Sequence, residues 1–416
     1  MSSWFEKATQ ALAQALENPG LASDAARCRH RIVWHYTEGD APKQLGQVVL
    51  WAGAADGDLI EFRSSGAVMQ EVASRLPGPG YQSFGALRRL GPAFSVDAKE
   101  LALLQALPFI ERLLDSWRLT LSGNAHPDRT IDHSGLAAIR GRYVALSNPN
   151  ADWVYTEEVG DAQQAPLLML HTAGADARQW HGLMSIPALQ SEWNVHAFDL
   201  PAHGRSPVPS GSQDRDWHLT EGQYLEWIIA YLDAAGLEKV ALMGCSMGAA
   251  IGLALLAKFP QRFLGAILLE TPYHSPGRRS KFLNHPEVHG ARLASAWVGS
   301  LLSPSSAHDR RALAGWIYAQ GAPGIYDGDL AFYSDAFQAS HHTGDIDCQV
   351  TPLWLLTGDY DYSASPQDTR RVAGEIAQSS FATLPGFGHF PMVENPDGLW
   401  PYLVEPLRAM RSRSGR

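Results

Sequence analysis

Cysteine is scarce: Cys28, Cys245 and Cys348 are the only three in 416 residues, and no two form a CxxC pair. That spacing argues against a disulfide framework and against a thiolate zinc site. Long apolar runs are missing as well. No stretch approaches 18 consecutive apolar residues, so no membrane-spanning helix is expected. The first twenty residues carry acidic groups and no apolar core behind a basic flank, which is not the pattern of a secretory signal. A cytoplasmic setting is the expectation. Positive charge is in deficit, with 33 Lys and Arg against 43 Asp and Glu and a net charge of −10. A surface of that sign repels phosphate backbones and anionic lipid, so nucleic acid is not an expected partner. No internal repeat is visible.

What is present is the composition of a folded chain. Hydrophobic residues make up 45% and charged residues 18%, enough to bury a sizeable core. The length predicts two or three domains. Residues 4–17 have helical apolar spacing that ends at Asn18-Pro19-Gly20. Strands are expected at 30–37, 46–52 and 59–62, and a helix near 66–76. An apolar helix, or a helix pair interrupted at Pro108, is expected at 98–117. These elements make an α+β domain over residues 1–120. Residues 121–138, rich in Gly, Ser, Asp and Asn, read as a linker.

Beyond the linker the rhythm changes. Strands at 140–147 and 152–158 precede short apolar runs at 167–170, 195–200, 240–243, 263–269, 352–356 and 381–384. Helices at 177–189, 221–235, 247–258, 366–378 and 397–410 are interleaved with them. Continuous apolar strands alternating with helices predict a mostly parallel, doubly wound α/β sheet.

Gly244-Cys245-Ser246-Met247-Gly248 lies between one of these strands and the helix that follows. A sharp strand-to-helix turn closes only with small neighbours, and it lifts the serine hydroxyl to the positive end of a helix. A serine hydroxyl needs a base to become nucleophilic. His389, in Gly386-Phe387-Gly388-His389-Phe390-Pro391, follows the last strand on a glycine-rich loop. The base in turn needs an orienting acid, and either Asp359 or Asp361 in Gly358-Asp359-Tyr360-Asp361 can serve. The order Ser, Asp, His differs from that of chymotrypsin and subtilisin.

With these motifs, residues 139–416 resemble an α/β-hydrolase, element for element. The resemblance implies Asp361 as the acid, three residues after Gly358, and Met247 and Ala173 as backbone donors to an oxyanion. Family members have glycine where this chain has Thr172, which either contributes its hydroxyl to substrate or packs. Asp199 and His203 resemble the turn after a main strand rather than a metal pair. The family also places a helical cap at about 271–349, which is rich in aromatics here. Tyr273, Trp297 and Trp316, with Thr172, are the candidate pocket residues for a medium-sized apolar or aromatic small-molecule substrate.

The chemistry implied is hydrolysis of a carboxylic ester through an acyl-enzyme, with no cofactor or metal. Thioesters, lactones and certain carbon–carbon bonds need the same machinery. Dehalogenase and epoxide hydrolase relatives carry aspartate at the nucleophile position and are disfavoured. The N-terminal domain is similar in pattern to sterol-carrier-protein-like domains, or else serves docking or dimerisation. A homo-oligomer is compatible with either. A non-catalytic lipid-binding protein is the alternative reading of the whole chain.

Overall fold

The structure, a computed structural model, describes residues 2–37, 45–91, 93–123, 131–149, 152–209 and 217–415. Its N-terminal unit is built on four strands, β1 (Arg31–Thr37), β2 (Leu45–Trp51), β3 (Leu59–Ser65) and β4 (Ser95–Asp97), in the order β2-β1-β3-β4. β1 runs antiparallel to β2 and parallel to β3. Helices Ser2–Leu16 and Glu100–Ser122 pack on this sheet through Phe5 against Tyr36, Trp117 against Trp34 and Phe109 against Trp51. The indole of Trp117 donates to the Ala8 carbonyl at 2.7 Å and so ties the two helices together. Trp34, Phe62, Phe84 and Trp117 are each less than 2% exposed. Rings of Trp34, Phe62 and Phe94 meet edge-on or tilted and fill the interior of the unit.

Two helices differ from the sequence reading. Glu100–Ser122 is one continuous helix with Pro108 inside it. Proline removes one hydrogen bond of the ladder. Buried residues from Ala102 to Arg118, packed against neighbours before and after the proline, hold the helix together. Conversely, residues 177–189 are not one helix. They break into Ala177–Trp180, His181–Met184 and a third piece, Pro187–Glu192, which starts at a proline. The residues 124–130 of the expected linker lie outside the described residues. On either side of them, the long helix ends at Gly123 in the left-handed region, and Ser134–Ala138 forms a 3₁₀ turn.

The second sheet has eight strands: β5 (Arg140–Ala145), β6 (Trp153–Val159), β7 (Ala165–Leu170), β8 (Trp193–Asp199), β9 (Val240–Cys245), β10 (Phe263–Leu269), β11 (Leu353–Gly358) and β12 (Ser380–Leu384). Their order is β12-β11-β10-β9-β7-β8-β6-β5. The pairs from β8 to β12 are parallel, whereas β5/β6 and β6/β8 are antiparallel. Every residue of β7, β9 and β10 is buried, as expected for strands covered on both faces. Between β10 and β11 the chain leaves the sheet and forms helices Gly290–Ser300, His308–Ala319 and Ile325–Leu330, then a π-helical turn at Ala331–Ala336. The carboxyl ends of β7, β9, β10, β11 and β12 share one edge, beneath this insertion.

Candidate active site

Ser246 follows β9 directly with φ 55 and ψ −112, and the next residue begins the helix Met247–Lys258. Such a backbone conformation is strained for a residue with a side chain. The turn closes because its glycines leave no bulk. A Cβ at Gly244 would lie 2.3 Å from the Gly248 carbonyl oxygen, and one at Gly248 would lie 2.4 Å from that of Leu170. The Ser246 amide donates to the Leu269 carbonyl at 3.0 Å, which pins the turn to β10.

His389 brings Nε2 to 2.8 Å from the Ser246 hydroxyl and Nδ1 to 2.6 Å from Asp361 Oδ2. All three residues are no more than 3% exposed. Asp359 is turned away and accepts from the Gly386 amide. Of the two candidate acids, therefore, only Asp361 meets the imidazole. It also accepts from the amides of Ser363 and Ala364. Despite burial, electrostatic attraction to the imidazole of His389 and the hydrogen bond between them hold Asp361 below the usual carboxylate range. Glu394 fixes the histidine loop by accepting from the amides of Ser303, Gly388 and Phe390 and from the Ser306 hydroxyl. The Cys245 thiol points at the His389 carbonyl, 3.4 Å away. Burial pushes that thiol well above its ordinary pKa, which makes it a packed side chain rather than a reactive one.

The loop after β7 packs on Gly248. The amides of Ala173 and Met247 are both buried, and neither has a protein acceptor among the described residues. The next amide, of Gly174, donates to Asp329 Oδ2 at 2.7 Å. Asp329 comes from the insertion and also receives His203 Nε2 at 2.7 Å and the Trp217 indole at 3.0 Å. His203 therefore faces Asp329, while Asp199 binds Arg205 and the Ala177 amide. Thr172 is fully engaged: its amide and hydroxyl both reach Gln179 Oε1, and the hydroxyl also pairs with Tyr318 Oη. It packs, and its hydroxyl is not offered to a ligand.

The other expected pocket residues lie elsewhere. Trp316 is 54% exposed and stacks under Arg178, in a surface hollow lined also by His133 and Pro187. Tyr273 lies beneath the Arg371 guanidinium, 3.5 Å from ring centre. Trp297 packs into the core shared with the N-terminal unit. Helical spacing shows that an aromatic is packed, but not against which neighbour. In their place the insertion presents Tyr318, Tyr326 and Tyr333. Tyr333 Oη is 3.3 Å from Ser363 Oγ and also interacts with the Ser246 hydroxyl. Tyr326 covers Gly174, and its ring lines a cleft of about 520 Å³ with Leu283, Val288, Leu293 and Tyr318.

Sequence reasoning missed Glu270. It follows β10 directly with φ 52 and is wholly buried. Both its oxygens accept from the Gly358 amide, at 3.0 and 3.2 Å, and its carboxyl shares a hydrogen bond with Asp361. Burial, followed by the adjacent Asp361 charge, pushes it well above the carboxylate range. Glu270 is therefore a neutral acid donating to Asp361. Ligand-type atoms of Glu270, Asp361 and His389 lie within 4.8 Å of one another, and the Glu270 proton already relieves the repulsion between the two carboxyls. A charged residue directly after a wholly apolar strand was the one signal available.

Residues 165–302 match a family described as alpha/beta hydrolase fold. A (lyso)-N-acylphosphatidylethanolamine lipase of Homo sapiens is 28% identical over 162 residues, covering 39% of this chain and 44% of that protein. A 1-acylglycerol-3-phosphate O-acyltransferase ABHD5 of Sus scrofa is 33% identical over 135 residues, covering 32% of this chain and 37% of that one. The chain thus spans less than half the length of these curated relatives. Among solved structures, a thermophilic esterase from Thermogutta terrifontis superposes with a TM-score of 0.55 at 20% identity, covering 65% of this chain and 99% of that one. The enol-lactonase of Burkholderia xenovorans LB400 gives 0.55 at 20% identity, covering 64% and 100%. Identity this low establishes the fold and nothing finer.

Proposed function

We propose that this chain, whose C-terminal part has the α/β-hydrolase fold, is a serine hydrolase acting on carboxylic esters with a largely apolar body. The observation that carries the reading is the continuous relay from Ser246 Oγ through His389 to Asp361, at 2.8 and 2.6 Å. His389 Nδ1–H donates to Asp361, which leaves Nε2 to take the Ser246 proton as Oγ attacks the ester carbonyl. The oxygen gains negative charge and is received by the Met247 and Ala173 amides, donors with no acceptor to give up among the described residues. Collapse breaks the ester C–O bond, and the leaving alkoxide takes the proton from His389. A water then gives its proton to His389 and attacks the acyl carbon, and collapse releases the acid as His389 returns that proton to Ser246 Oγ. The cleft beside Gly174, walled by Leu283, Val288, Leu293 and Tyr326, suits an apolar acyl or alcohol portion. Thioesters and lactones would react by the same steps.

A fluorophosphonate probe tests this directly. The wild-type protein should label, and Ser246→Ala should not. Hydrolysis of p-nitrophenyl butyrate should fall by roughly 10⁴- to 10⁶-fold in Ser246→Ala or His389→Ala. A folded wild-type chain that neither labels nor hydrolyses any ester would instead support the non-catalytic, lipid-binding reading.

A further inference from the structure

Arg278 is a buried cation without a counter-ion. It lies nine residues past the end of β10 and is 4% exposed. Its Nε and Nη1 are buried and unpartnered. Among the described residues, no carboxylate forms an ion pair with it. Its backbone is firmly placed: the amide donates to Ser334 Oγ at 3.1 Å, Ser334 donates to the Ser275 carbonyl at 2.8 Å, and Ser275 donates to the Ser363 carbonyl at 2.8 Å. These bonds lace the loop to the π-helical turn on one side and to the segment after Asp361 on the other. A π-turn shifts the register of successive side chains. Here Tyr333 turns to Ser246 while its neighbour Ser334 turns to the Arg278 loop.

The groups that feel the guanidinium charge are the hydroxyls of Tyr326, Tyr333 and Tyr362, and Asp361. Asp361 is already committed to His389 and to the Ser363 and Ala364 amides. Tyr333 is a neighbour of both Arg278 and the nucleophile, and Tyr326 of both Arg278 and the oxyanion loop. The N-terminal unit adds a second cation, Arg89, whose Nη1 donates to the Pro276 carbonyl at 2.9 Å. Arg89 is exposed, whereas Arg278 is buried. A desolvated cation is tolerated where an opposite charge and hydrogen-bond acceptors are supplied. Among the described residues, tyrosine hydroxyls surround it and no uncommitted carboxylate does.

We propose that Arg278 recognises an anionic group, a carboxylate or a phosphate, on the substrate held at Ser246, with the neighbouring exposed Arg89 reinforcing the field. The substrate is then an amphiphilic ester with an apolar body in the Leu283–Tyr326 cleft and an acidic end under the insertion. This rests on Ser246 being the nucleophile, and it narrows that reading from esters in general to esters bearing a negative charge.

The test compares mono-p-nitrophenyl glutarate with its neutral methyl ester. The wild type should favour the anionic ester by at least about tenfold in kcat/KM, with the difference in KM. Arg278→Gln should erase the preference while holding the neutral ester within about threefold, and Arg278→Lys should retain part of it. Removing an uncompensated buried charge should also raise the melting temperature of Arg278→Met. Calorimetry on Ser246→Ala, with monomethyl glutarate and with methyl phosphate, decides between carboxylate and phosphate by which binds more tightly. Equal turnover of both esters by the wild type, or binding of neither anion, overturns the proposal. If fluorophosphonate labelling fails, the hydrolase reading falls, and the calorimetry still decides the role of Arg278.

Discussion

Glu270 shows how one proton sets the electrostatics of the site. Two buried carboxyls in contact cannot both be charged. The one beside His389 keeps its charge, and the other keeps a proton and donates to it. Glu270→Gln preserves a donor to Asp361 and an acceptor for the Gly358 amide, so activity should stay within about threefold. Glu270→Ala removes both, and loss of a charge-assisted hydrogen bond of about 1.5–3 kcal/mol predicts a fall in kcat of about ten- to hundredfold. Steady-state kinetics on the two folded variants separates these outcomes. A similar loss in both would show that Glu270 matters by shape and not by its hydrogen bond.

Elements matter here chiefly through what they pin. The helix Ile325–Leu330 places Asp329 so that one carboxylate holds the Gly174 amide, His203 and the Trp217 indole. Asp329→Ala frees the loop that carries Ala173. It should lower kcat/KM by about 10- to 100-fold and cost about 2–4 kcal/mol of stability, read by urea unfolding. In the N-terminal unit, Glu111 accepts the first amides of the helix Phe84–Leu90, at 3.0 and 2.9 Å. Burial pushes its pKa up to about 7 from 4.5. Between those values the folded chain holds a proton that the unfolded chain has released. Stability from this group is therefore full below about pH 4.5 and lost as pH rises towards 7, on the order of 3 kcal/mol in all. Glu111→Gln should flatten that decline, which unfolding curves at pH 5 and pH 8 will show.

Across the whole molecule, the N-terminal unit is bolted to the loop that bears the acid of the site. Gln82 donates to the Tyr360 carbonyl at 2.8 Å, and Tyr360 Oη donates back to the Pro77 carbonyl at 2.9 Å. The long helix Glu100–Ser122 packs on Gly290–Ser300 of the insertion, and Asp24 pairs with both Arg112 and Arg292 across that seam. The two units should accordingly unfold in a single calorimetric transition. A substitution at the seam should also be felt at the site. A Cβ at Gly85 would lie 2.3 Å from Tyr362 Oη and 2.9 Å from Ser300 Oγ. Gly85→Val should cost about 1–3 kcal/mol by overpacking and, by displacing the neighbour of Asp361, lower kcat more than KM.

The order of strands and helices after residue 140, the glycine-flanked Ser246 and the loop that carries His389 were legible in the sequence. Each is a local pattern: an apolar run of strand length, or glycines where the backbone must turn sharply or pass closely. Pro108 and the segment 177–189 misled because local propensity yields to packing in one case and a proline restarts the chain in the other. Where Tyr273, Trp297 and Trp316 point, and the convergence of Glu270, Asp329, Tyr333 and Arg278, were decided only by tertiary structure. Those residues come from separate segments between β10 and β11 or from strand ends, and nothing in their spacing encodes a contact. Only the folded chain, by closing the insertion over one edge of the sheet, removes water from these groups and so determines which carboxyl keeps its proton and which cation is left without a partner.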